Sequence, residues 1–193
     1  VYRVARLVSM GVDPAAILLL TFTRKSSEEM LRRAAQILDS RCQNVSGGTF
    51  HSFCNLVLRR YSKLLGFNEN FTILDRTDSE EIIQSIRKEL NLNKTEKRFP
   101  KKNAILAVIG KALNMQKTVE SVLVQEYPHF YEFEKEINQI NSLYFKYKEE
   151  MQVFDYDDLL CKVLQLLRDF PDIREQLQNS FEYIFEFQPS NHY

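Results

Sequence analysis

Ile17 to Leu20 is an unbroken apolar run. It lies between a turn, Gly11-Val12-Asp13-Pro14, and a polar segment beginning at Thr21. A short run of this kind predicts a strand buried on both faces of a parallel sheet. Upstream, Val1, Val4, Leu7 and Val8 recur at helical spacing, and Gly11 stops that helix. Downstream, Met30, Leu31, Ala34, Ile37 and Leu38 mark the core face of a second helix, with Thr23 as its N-cap. Val45 to Phe50 predicts a second short strand or turn. Leu56, Val57, Leu58, Tyr61 and Leu65 then belong to a third helix.

From Asp75 the texture changes. Asp75 to Leu92 reads as a capped amphipathic helix, followed by a basic, polar connection over residues 93–103. Helices are expected over 102–113, 118–125 and 130–150, separated by Asn and Pro, with no strand pattern among them. Val153 to Phe170 predicts another helix, entered through an acidic cluster and stopped by Pro171. A short strand, Tyr183 to Phe185, closes the chain. The expected organisation is an α/β domain, mainly helical by content. Residues 1–75 and 152–193 form its α/β part, and 76–151 form a large all-helical insertion.

Composition agrees with one large domain or a domain carrying an insertion. The chain has 193 residues with only five Gly and five Pro, so turns are few and helix is favoured. Charge is uneven. Residues 1–63 hold ten Lys and Arg against four Asp and Glu, a net of +6. Residues 120–193 hold six against fifteen, a net of −9. Such asymmetry is the pattern of a polyanion-binding face at one end and a cation or nucleotide–metal site at the other, or of an ordinary solvated surface. Three cysteines without metal-type spacing, and no signal peptide, fit a reducing, cytoplasmic setting. No apolar run approaches the ~18–20 residues of a membrane span. The chain does not begin with Met and opens on the back half of a helix, so it is expected to be a fragment.

Two stretches can carry chemistry. Thr21-Phe22-Thr23 stands where a buried strand gives way to a helix N-terminus, the place where open α/β sheets bind ligands. Free amides and the helix dipole there favour phosphate. The hydroxyls of Thr21 and Thr23 can donate to phosphate oxygens, Phe22 can stack on a base, and Arg24 and Lys25 add attraction for a polyanion. Gly48-Thr49-Phe50-His51-Ser52 repeats the arrangement about thirty residues later, with Thr49 or Ser52 able to cap the next helix. Each has a plainer reading: Phe22 as a core residue, His51 as a satisfied structural histidine.

These stretches resemble a known family. "ILLLTFTRKSSEEM" is similar to the Ia motif of superfamily 1 helicases of the UvrD/Rep/PcrA type, "GTFHSFCNLVLRRY" to their Ib motif, and "FDYDDLL" to the acidic segment that follows their helical insertion. The resemblance covers essentially the whole chain, and the three motifs are specific together and in order. It implies a partial RecA-like parallel sheet of the P-loop NTPase type: motor lobe 1A with its inserted subdomain 1B. The parent would be an ATP- and magnesium-dependent motor moving 3′ to 5′ along single-stranded DNA. By this resemblance Thr21, Phe22, Thr23, Arg24, Thr49, His51 and Ser52 contact single-stranded DNA, with Arg24 where Asn is usual. Asp157 and Asp158 match the acidic pair near the domain junction, and Asp157 reads equally as a charge complementing a helix dipole.

The departures concern the nucleotide site. The family's Gly-x-x-Gly-x-Gly-Lys-Thr loop is absent from these residues. Gly110-Lys111 is followed by Ala112 inside a helical run and does not match it. At motif II, Glu186 and Gln188 match the general base and the coupling glutamine. The magnesium-holding Asp has no counterpart, and Pro189 replaces the second Asp. Glu186 also reads as a simple strand-end acid. The expectation is a lobe without ATPase activity of its own, whose parent uses ATP and Mg²⁺, and whose partners are single-stranded DNA and the rest of the helicase chain. The alternative is a non-enzymatic helical module that binds nucleic acid or protein.

Overall fold

The computed structural model describes residues 2–38, 42, 44–92 and 99–187. The chain is mainly helical with small parallel sheets, an α/β architecture consistent with part of a RecA-like domain. It divides into two compact units, Val1–Arg60 with Val163–Tyr193, and Tyr61–Lys162.

The first unit is organised by β1 (Ile17–Thr21), all five of whose residues are buried. β1 lies between β2 (Ser46–Thr49) and β5 (Tyr183–Phe187) and pairs parallel with both. The apolar run is continuous because a central parallel strand has no solvent face. Helix α1 (Tyr2–Ser9) packs Val4 and Val8 with Ile17, Leu19 and Met30. Gly11 has φ +94°, a left-handed conformation that lets the chain leave α1 abruptly. Asp13 then accepts from the Ala15 amide at 2.9 Å, and Pro14 opens a single 3₁₀ turn into β1. Helix α2 (Arg24–Leu38) buries Met30. The side chains of Leu31, Ala34, Ile37 and Leu38, expected beside it, lie outside the described set, as do Val1 and Gln188. Helix α3 (Phe50–Tyr61) buries Cys54, Val57 and Leu58. Leu56 is 69% exposed, because it falls off the 54/57/58/61 stripe.

The second unit is a helical assembly. Helix α4 (Arg76–Glu89) begins with a capping box: Asp75 accepts from the Asp78 amide at 2.8 Å, and Asp78 returns the bond at 3.4 Å. Helices α5 (Lys102–Asn114), α6 (Val119–Glu126) and α7 (Glu134–Glu150) follow. Ile83, Ile105, Ile109, Leu123, Ile137 and Ile140 form the centre of one shared core. Two strands were not legible in the sequence. β3 (Thr72–Ile73) and β4 (Val153–Phe154) pair parallel on either side of these helices, Thr72 with Val153. Phe154 fastens the clasp, its ring 4.5 Å from Phe67 and 4.6 Å from Phe71.

Helix α8 (Tyr156–Asp169) then leads out, and α9 (Pro171–Ser180) starts at the proline read as a stop. Proline has no amide to donate and a helical φ, so it is tolerated at the first position of a helix as readily as it ends one. Strand β5 continues two residues beyond the expected Phe185.

One polar cluster sits in the second unit. Lys148, 3% exposed, places Nζ 2.8 Å from Asp155 Oδ2 and 2.6 Å from Asp158 Oδ2. Tyr144 donates to Asp155 at 2.9 Å. The two aspartates also cap α8 reciprocally, each accepting the other's amide at 2.9 Å. Burial pushes both carboxyls up, and Lys148 opposes it. The ammonium wins at Asp155, whose carboxyl is held below its usual value. At Asp158 burial, aided by the charge of Asp155, prevails and lifts it to about 6. One cation thus serves two acids.

Two outcomes follow from this cluster. Lys148→Met strands two buried carboxylates and lowers the unfolding free energy in urea titrations by about 3–5 kcal/mol. By contrast, Lys146→Met, at an exposed 3.7 Å pair with Glu150, changes it by about 0–1 kcal/mol. The raised carboxyl of Asp158 keeps its proton in the folded state while the unfolded chain loses its own. Its stabilising contribution is therefore complete below the ordinary carboxylate value and is lost as pH rises to about 6. Asp158→Asn removes that titration. The stability gap between wild type and Asp158→Asn, read by urea melts at pH 4.5 and 7.5, narrows at the higher pH.

Candidate nucleic-acid interface

The parallel pairing of β1 and β2 aligns the two Thr-Phe steps. Thr21 is the register partner of Thr49, so Phe22 and Phe50 leave the sheet side by side. Their ring centroids are 5.2 Å apart, tilted by 44°. Phe22 is 58% exposed, which removes the core reading for it. The same edge carries the N-termini of α2 and α3, so first-turn amides without intrahelical acceptors gather there.

Both helices start with the same device. Thr23 Oγ1 accepts from the Ser26 amide at 3.2 Å and donates to Ser26 Oγ at 2.7 Å. Thr49 Oγ1 accepts from the Ser52 amide at 3.1 Å and donates to Ser52 Oγ at 3.1 Å, while Ser52 Oγ donates to the Thr49 carbonyl at 2.8 Å. Thr49, not Ser52, is thus the cap of α3. The turn is tight: a side chain at Gly48 would meet Ser52 Oγ at 2.7 Å. Thr21 is different from its neighbours. It is 0% exposed and donates to the Thr23 carbonyl at 2.7 Å, bracing the bend that turns Phe22 outward.

Charge on this side is positive. Arg24 and Lys25 are exposed at the start of α2. Further along, Glu29 holds both Arg32, at 2.9 Å, and Arg33, at 2.6 Å. Hydrogen bonds from Arg33 and then Arg32 keep the Glu29 carboxyl below its usual value. His51 is half-buried in the first turn of α3. Cys54, one turn on, is buried, and that burial pushes its thiol up to about 11.

The nucleotide-site residues are placed as follows. Glu186 is exposed on β5 and pairs in register with Leu20, one residue short of the Thr21 level. Gln188 lies outside the described residues. Gly110-Lys111 is in the interior of α5, its backbone committed to the helix, and Lys111 forms an ion pair with Glu126. Among the described residues no group of three or more His, Cys, Asp or Glu is placed to hold a metal. Among the described residues, Glu186 with Gly110-Lys111 locked in a helix does not make a magnesium–nucleotide cradle. No helix among the described residues is long and apolar enough to cross a membrane.

The sequence pattern missed the side-by-side placement of the two rings, because sequence spacing does not reveal register. It also missed the burial of Thr21. A threonine ending a fully apolar strand was the available signal.

Comparison with known proteins agrees with this architecture. The family model of the UvrD/REP helicase N-terminal domain matches residues 1–193. The ATP-dependent DNA helicase PcrA of Staphylococcus epidermidis is 31% identical over 201 residues, covering 98% of this chain and 26% of the relative. The protein of the same name from Staphylococcus aureus is 28% identical over 193 residues, with the same coverage of each chain. The chain therefore spans about a quarter of the length of the curated relatives it matches. A family match along the full 193 residues, on an α/β frame that brings both Thr-Phe steps to one sheet edge, makes this chain a member of the UvrD/REP helicase N-terminal domain family.

Proposed function

We propose that this chain is the N-terminal motor-lobe portion of an ATP-dependent 3′–5′ DNA helicase, and that its sheet edge at Phe22 and Phe50 binds single-stranded DNA. Residues 1–75 and 152–193 are the lobe, and 76–151 are its helical insertion. The observation that carries this reading is the Thr21–Thr49 register, which sets two aromatic rings 5.2 Å apart beside two helix N-termini. A base stacks on the exposed face of Phe22, a contact that every base can make and that a translocating protein needs. Phosphate oxygens are met by first-turn amides, by His51 and by the charge of Arg24, while Thr23, Thr49 and Ser52, whose hydroxyls serve the caps, shape the two turns that present them. Thr21, buried and bonded to Thr23, acts by holding Phe22 in place and touches no DNA itself.

ATP and Mg²⁺ belong to the parent protein in this reading, where they supply the phosphoryl-transfer chemistry. This chain contributes the DNA grip, and Glu186 and Gln188 are remnants of the catalytic pair.

Fluorescence anisotropy with labelled oligo(dT) tests the surface. Binding weakens steeply between 50 and 200 mM salt. Phe22→Ala weakens it about 5- to 150-fold, the equivalent of ~1–3 kcal/mol of stacking, with an unchanged circular dichroism spectrum. Arg24→Ala lowers the salt slope by about one. Unaltered affinity in Phe22→Ala would remove the stacking surface. A phosphate-release assay on this chain with ATP, Mg²⁺ and oligo(dT) gives no turnover above background; sustained turnover would overturn the division of labour.

A further inference from the structure

The helical unit holds a groove of about 540 Å³ that the DNA reading does not use. Its size is that of a small-ligand site, roughly 300–1,000 Å³. Leu74, Leu106, Ala107 and Met115 give it an apolar side. The start of α8 also lines it, with Tyr156, 53% exposed, and Asp157.

Gly110 decides how the acid meets the groove. A Cβ built there would lie 2.5 Å from Asp157 Oδ2, so any side chain would displace the carboxylate. The other oxygen, Oδ1, accepts from Asn114 Nδ2 at 2.8 Å. Asp157 is thereby oriented by a neutral donor.

The other charged side chains that line the groove have partners of their own. Arg76 pairs with Glu80 at 3.1 Å, and Lys111 pairs with Glu126. Asp155 is bound by Lys148, and Asp75 is occupied with the Asp78 amide. What the groove offers a ligand is the oriented Asp157 carboxylate beside apolar side chains and an aromatic ring.

We propose that this groove binds a flat organic monocation of the amidine or guanidine class. The cation sits on Asp157 and its apolar body lies against Leu106 and Met115. A planar, weakly hydrated cation sheds water more readily than an ammonium and meets a carboxylate with a matching fork of N–H donors. The Tyr156 ring adds attraction for a cation over its face. This inference is independent of the DNA surface and survives its failure. Two sources share the chemistry, a free small molecule and an arginine side chain of a protein segment.

The test is an NMR titration of the chain followed at the Gly110, Asn114 and Tyr156 amides. The probes are benzamidine, the neutral benzyl alcohol and N-acetyl-arginine methylamide. Benzamidine binds at least about tenfold tighter than benzyl alcohol, as a charge-assisted contact requires. Asp157→Asn keeps an acceptor for Asn114 and erases that preference. Gly110→Ala weakens benzamidine by displacing Asp157. Tighter binding of the arginine derivative assigns the site to a protein arginine, and the reverse assigns it to a free amidine. Equal affinity for the charged and neutral probes, or no effect of Asp157→Asn, overturns the proposal. Should Gly110→Ala fail to fold, the probe pair on the unaltered protein still decides.

Discussion

The register of one buried strand governs the candidate DNA surface. β1 pairs residue for residue with β2 from Leu18–Ser46 to Thr21–Thr49. A slip by one residue would turn alternate side chains to the opposite face of the sheet. It would also separate the Phe22 and Phe50 rings and stagger the two helix starts. Nothing in either Thr-Phe step enforces the alignment by itself. Burial of Ile17 to Leu20 on both faces holds β1 in the core, and the Thr23 and Thr49 caps end the two strands in matching turns. The site is therefore a by-product of the core, and its rigidity is inherited from it.

The two units hold themselves together differently. The sheet unit relies on apolar burial and on local caps, each threonine closing the turn that follows its strand. The helical unit adds a dry polar centre, in which Lys148 answers two aspartates that also cap α8. Exposed pairs such as Lys146 with Glu150 contribute little by comparison, because water screens them. The Lys148 cluster is costly to assemble and more costly to half-remove, which gives it influence over structure disproportionate to its size.

Much of the frame was legible in the sequence. The apolar run of β1, the Asp75 capping box and the helices of the insertion all follow from local periodicity and cap chemistry, which need no knowledge of distant residues. What escaped depends on pairing at long range. β3 and β4 are two residues each, too short for alternation to show. α9 was hidden because Pro171 serves equally as an end or a beginning. Phe22 and Phe50 were each visible, while their contact depended on register. Lys148 did leave a signal: it lies on the stripe of Ile137, Ile140 and Tyr144, where a lysine in a solvated helix face would not stand. Read that way, the stripe requires buried acids nearby, and Phe154-Asp155-Tyr156-Asp157-Asp158 supplies them.

The clasp of β3 and β4 has a mechanical consequence. The strands are parallel, so the chain enters at the N-terminal end of β3 and leaves at the C-terminal end of β4, at opposite ends of the pair. Tension along the backbone between those two points loads the pair in shear, drawing on its hydrogen bonds together instead of unzipping them singly. The eighty or so residues enclosed between Thr72 and Val153 meet that load only through side-chain contacts such as Lys148 with Asp155 and Asp158 while the clasp holds. The helical segment is thus insulated from pulling forces by a ladder only two residues long, with the Phe67, Phe71 and Phe154 rings as its fastening.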